Sequence, residues 1–156
     1  TVLNLCPRRP AGVIGLLSAA QFRAAKTKET IMGLDMYAFT AKPDAITNPV
    51  EIDLDQLDDV AQIYAWRKHP NLHGWMGALY AEKGGTKECF NCVPVQLTLA
   101  DIDALEADIR AGNLPTTGGF FFGESDGSEL EGDLEFITRA RTAIAAGLAI
   151  IYDSWW

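Results

Sequence analysis

A chain of 156 residues with 48% apolar and 10% aromatic side chains can fill one hydrophobic core, which excludes general disorder and suits a single domain of ordinary size. Its formal charge of −8 divides unevenly at Met32: residues 1–31 carry +4 and the 125 residues that follow carry −12. A surface that acidic lacks the counterion-release term that drives binding to a nucleic-acid backbone, so nucleic acid is not an expected partner.

The opposite compositions separate residues 1–31 from the rest. Arg8 and Arg9 precede an apolar stretch over residues 11–20, as a targeting segment would, but Pro10, Gly12 and Gly15 weaken any helix there. We expect a non-domain N-terminal extension, arising from upstream translation, an appended sequence or targeting, followed by one domain over residues 32–156. No apolar run reaches the ~20 residues that span a bilayer, so no membrane partner is expected. Cys6, Cys89 and Cys92 are too few for a disulfide framework, which points to a reducing, cytoplasmic compartment.

Within the domain, residues 33–40 alternate Leu34, Met36 and Ala38 against Asp35, Tyr37 and Phe39, the period of a strand with one buried face. Asp53 or Asp55 can cap a helix carrying Leu57, Val60, Ala61 and Tyr64 at helical spacing and ending near Trp66, Arg67 and Lys68. Pro70 suits the first turn of a second helix anchored by Leu72, Trp75, Met76 and Leu79. Residues 88–97 resume an extended pattern. Thr98 and Asp101 then form a capping box for a helix using Ile102, Leu105 and Ile109, left at Gly112. Residues 118–123, three phenylalanines between glycines, suit a short buried strand. Ser128 with Glu131 would cap a helix through Leu134, Ile137, Ala140 and Ile144, closed by Gly147, and residues 148–152 form a last strand. The expected fold is a single small α+β domain, about four mostly antiparallel strands with helices packed on one face.

Three groupings could carry chemistry. His69 and His73, with Cys89 and Cys92 as a C-x-x-C pair, supply the residue types of a structural zinc site, although odd spacing in a strand sends the two cysteines to opposite faces. Cys92 as nucleophile and His73 as base, oriented by Asp35 or Asp153, would suit a small cysteine-dependent enzyme. Trp66, Arg67, Lys68 and Trp75, with Phe121 of the phenylalanine run, make an aromatic and cationic group able to bind an anionic ligand. The usual nucleotide and hydrolase signatures are absent, and no cofactor is expected.

Several pieces recur in a fixed order: residues 32–37 (MGLDMY), Trp66-Arg67-Lys68, Leu72-His73-Gly74-Trp75, Asn91-Cys92, Leu114-Pro115 before the phenylalanine run, and the terminal Ser154-Trp155-Trp156. In these the chain resembles a family of small phage and bacterial proteins that begin MGLDMY. The resemblance covers residues 32–156. It implies a phage or mobile-element context rather than a mechanism, and its pieces include His73 and Cys92 but not His69 or Cys89. It therefore favours a pocket lined by Trp66, Arg67, His73, Cys92 and the phenylalanines over zinc. The expected function is accessory binding, of a small anionic ligand or of a host protein through the acidic face.

Overall fold

The computed structural model describes residues 33–156, so the expectations for residues 1–31 and for a start at Met32 lie outside the described residues. Four strands, β1 (Asp35–Ala41), β2 (Ala61–Arg67), β3 (Val95–Leu97) and β4 (Ala149–Trp155), form one sheet in the order β2-β1-β4-β3, with every neighbouring pair antiparallel. Three helices, α1 (Pro70–Glu82), α2 (Leu99–Ala111) and α3 (Leu130–Ala145), complete the α+β domain.

The alternation read in β1 sets the layering. Met36 and Ala38 lie opposite Ser154 and Tyr152 of β4, and this face packs against Leu72 and Met76 of α1, Ile102 and Leu105 of α2, and Phe136 and Ile137 of α3. Phe39, opposite Ile151, points the other way. There the β1–β2 connection covers the sheet with Ile46, Ile52, Leu54, Leu57 and Val60. The helices thus occupy one face, and a loop with two single-turn 3-10 helices closes the other.

Four local expectations are corrected. The helix through Leu57 and Tyr64 is instead a 3-10 turn, Leu54–Gln56, whose backbone Asp53 caps by accepting from Asp55 N–H, followed by strand β2. The helical spacing arose from adding Leu57 and Val60, which cover the outer sheet face, to Tyr64, which packs among the helices. The aromatic and β-branched content of residues 61–67 suits a strand. Residues 88–94 are irregular and only Val95–Leu97 pairs, because Pro94 has no N–H to give a ladder and Cys92 sits at φ +54°. The phenylalanine run is a turn, with Phe122 N–H donating to the Gly119 carbonyl; Phe122 is buried while Phe120 is 96% exposed. Ser128 does not cap α3: its N–H donates to Asp126 Oδ1, and Glu129 is the residue that enters the helix.

The α2 boundaries match their signals. Thr98 Oγ1 accepts from Asp101 N–H while the Asp101 carboxylate accepts from Thr98 N–H, and Gly112 leaves the helix at φ +68°, a conformation that costs glycine little. Thr98→Ala is expected to lower the unfolding free energy by about 1 kcal/mol in urea titration, and an unchanged midpoint would contradict that role.

Candidate functional site

Beyond β2 the chain turns sharply at Lys68, a non-glycine residue at φ +56°, whose N–H donates to the Leu34 carbonyl. This turn sets His69 at the entry to α1, ahead of Pro70 in the first helical turn. His69 lies beneath the loop that leads into α3, and Asp133 stands in the first turn of α3, on the same buried stripe as Phe136, Ile137 and Ala140.

These placements bring three side chains from separate elements into one chain of hydrogen bonds. His69 Nε2 is 2.9 Å from Asp133 Oδ2, and His69 Nδ1 is 2.8 Å from Ser125 Oγ. Trp66 Nε1–H donates to the other oxygen, Asp133 Oδ1, at 2.9 Å. A carboxylate only accepts, so Nε2 carries the proton; in the neutral ring Nδ1 is then bare and accepts from the Ser125 hydroxyl. Ser125 Oγ in turn accepts from Asn71 N–H at 3.2 Å, capping α1 from outside its own segment, since the side chain of His69 makes no cap. His69 and Asp133 are 3% and 2% exposed, whereas Ser125 is only half-buried. The carboxylate lies at the positive end of α3, which offsets part of its burial.

The chain of bonds ends in a cleft of about 160 Å³ lined by His69, Asn71, Ser125, Glu129, Leu130 and Asp133, among others. Glu129 Oε1 lies 4.0 Å from His69 Nδ1, and its other oxygen accepts from Gly127 N–H. No basic side chain other than His69 lines it. A larger open depression of about 470 Å³ runs along β2 and α3, but its cation, Arg139, is already held by Glu135 and the Ile63 carbonyl.

The expected site residues fall in different places. His73 Nδ1 meets the Tyr152 hydroxyl at 2.9 Å, and its ring stacks on Phe90 and meets the edge of Phe122. Burial pushes its pKa down to about 4 and holds the Tyr152 phenol well above its ordinary value. Asp35 lies on the outer sheet face, paired at 3.6 Å with Arg67, with Tyr37 and Asp153 alongside. The sheet therefore stands between Asp35 and His73. Cys92 stands at φ +54°, with its N–H donating to the Ser154 carbonyl and its Sγ 3.6 Å from Asn91 Oδ1. Cys89 is free and exposed, both His69 nitrogens are engaged, and among the described residues no group of three or more His, Cys, Asp or Glu is placed to hold a metal ion.

Nor do the aromatic and cationic residues share a pocket. Trp66 and Arg67 are neighbours on β2 and so point to opposite faces, Trp66 to Asp133 and Arg67 to Asp35. Trp75 Nε1–H donates to Asp108 of α2, Lys68 shapes the turn, and Phe121 lends its carbonyl to Leu34 N–H while its ring meets exposed Phe120. Trp66 and His69 are the expected residues that reach the site; Ser125, Asp133, Asn71 and Glu129 were not anticipated. Fold and site together define a small α+β domain with a buried Asp–His–Ser relay opening on an acidic cleft. No protein-family model, curated protein or solved structure matches the chain.

Proposed function

We propose that the protein acts by binding a basic partner protein of its host, as an accessory protein of phage or mobile-element type, with a Lys or Arg side chain of the partner entering the cleft beside Glu129. The observation that carries this reading is the Glu129 carboxylate at a cleft that contains no Lys or Arg to neutralise it. Around the cleft, Glu124, Asp126 and Glu131 extend the acidic surface, while Lys42, Lys83, Arg110, Arg139 and Arg141 are engaged in ion pairs. Complementary charge of this kind speeds encounter and selects partners. The same charge weighs against nucleic acid. Among the described residues no helix is long and apolar enough to cross a membrane.

An anionic small ligand is less well served, because Arg67 and His73 lie on opposite sides of the sheet. Calorimetric titration with a Lys/Arg-rich peptide tests the basic-partner reading. Binding should weaken steeply between 50 and 500 mM salt, test concentrations on the order of those that span strong to weak screening, and Glu129→Gln should weaken it about 5–10-fold. Salt-independent binding, or an affinity unchanged in Glu129→Gln, would contradict the proposal.

A further inference from the structure

The same cleft holds an arrangement that binding alone does not use. We infer that Ser125, His69 and Asp133 form a nucleophilic acyl-transfer centre acting on small, uncharged or cationic esters. The order of groups is that of a nucleophile, its base and an orienting carboxylate: Ser125 Oγ is 2.8 Å from His69 Nδ1, and His69 Nε2 is 2.9 Å from Asp133 Oδ2. Ring nitrogens exchange roles relative to the most familiar triads, with Nδ1 facing the nucleophile, and the proton logic is unchanged.

Exposure follows function in the same order. Asp133 and His69 are buried, so the carboxylate acts on the imidazole through a dry contact, while Ser125 reaches the cleft. Trp66 holds the second carboxylate oxygen and fixes the tilt of Asp133, which makes Trp66 and Asp133 positioning residues; Ser125 and His69 are the catalytic ones.

In the first half-reaction, Ser125 Oγ bonds to the ester carbonyl carbon as its proton moves to His69 Nδ1. The bond from that carbon to the alcohol oxygen then breaks, and the departing oxygen takes the proton from Nδ1. In the second, Nδ1 removes a proton from water as the hydroxyl attacks the acyl-serine carbonyl; the bond to Ser125 Oγ breaks, Oγ recovers the proton and the carboxylic acid leaves. The N-terminal turn of α1, whose Asn71 N–H reaches Ser125 Oγ, supplies positive potential beside the nucleophile.

Size and charge set the substrate class. A volume of about 160 Å³ admits an acyl group of a few heavy atoms, well below the space that drug-sized ligands occupy. Glu129 beside the base repels anionic esters.

A fluorophosphonate probe tests this on the full chain, since an activated serine displaces its fluoride and keeps the phosphonyl group. The expected result is one adduct, mapped by peptide mass spectrometry to Ser125, absent in Ser125→Ala and formed about 100-fold more slowly in His69→Gln. Asp133→Asn should shift the pH profile of labelling as well as slow it, because the amide favours the wrong imidazole tautomer. Circular dichroism identifies variants that have not folded, and hydrolysis of p-nitrophenyl acetate by the wild type gives a readout free of substitution. No adduct at Ser125 in the wild type, or an adduct rate equal in wild type and folded His69→Gln, would overturn the inference. Binding of the Lys/Arg-rich peptide by the same wild-type sample is read independently of the adduct, which separates failure of this centre from failure of the binding reading.

Discussion

Asp133→Ala is expected to lower the unfolding free energy by about 3–5 kcal/mol, the cost of stranding two buried donors that each lose a partner worth about 1–3 kcal/mol. The donors are the Trp66 indole and His69 Nε2, which reach separate oxygens of the same carboxylate at 2.9 Å. Trp66, His69 and Asp133 are all buried. Urea titration near neutral pH measures the loss. Asp133→Asn should recover more than half of it, because the amide oxygen can still accept from Trp66 while its NH2 group faces an imidazole able to reprotonate on Nδ1. A loss below about 1 kcal/mol for the alanine variant would mean that the three side chains are not joined as described.

His73 gives the second large effect, and its direction follows from burial. An unfolded histidine takes up its proton near pH 6.5, whereas burial delays protonation of folded His73 until about pH 4. Between those values the unfolded state binds more protons, so stability is full above pH 6.5 and falls as pH drops toward 4. The span corresponds to about 3 kcal/mol. His73→Gln can keep a hydrogen bond to the Tyr152 hydroxyl without titrating, and its stability should be flat between about pH 6.5 and 5. An equal slope in wild type and variant would assign the pH dependence to other groups. Carboxylates held below their usual range by partners, such as Asp101 beside Lys83 and Thr98, lose their contribution only as pH falls below about 5 and overlap just the lower end of this window.

Patterns confined to one element were legible in the sequence. The β1 alternation, the Thr98–Asp101 capping box and the Pro70 helix start each depend on neighbours a few residues apart, and each is present. The fold class and the single helical layer followed from them. Errors arose where apolar residues from adjacent elements fell by chance into one period, as with Leu57, Val60 and Tyr64, or where turn geometry overrode an extended composition, as in residues 118–123.

The site was less legible because its members come from three separated segments. Hydrogen bonds join residues 64 and 56 positions apart, and spacing in sequence carries no trace of such pairs. One local signal existed. Helical spacing suggests an α3 stripe of Leu134, Ile137, Ala140 and Ile144, whereas the most buried positions are Asp133, Phe136, Ile137 and Ala140. Centred on Phe136, the stripe includes an acid three residues before it, and a buried acid requires donors. Trp66 and His69 were singled out for other roles and turn out to be those donors. Trp66 and Arg67 adjoin in sequence as one aromatic and cationic cluster, which strand geometry divides.

Nitrogen-resolved NMR of the His69 ring in the intact protein tests the relay most directly. The expected spectrum near neutral pH shows one tautomer, with a slowly exchanging proton on Nε2, no proton on Nδ1, and both the Nε2–H and Trp66 indole signals displaced in Asp133→Asn. A ring that averages its tautomers and exchanges with water at the rate of a free imidazole, with a Trp66 indole unmoved by Asp133→Asn, would contradict the Asp133–His69–Ser125 relay.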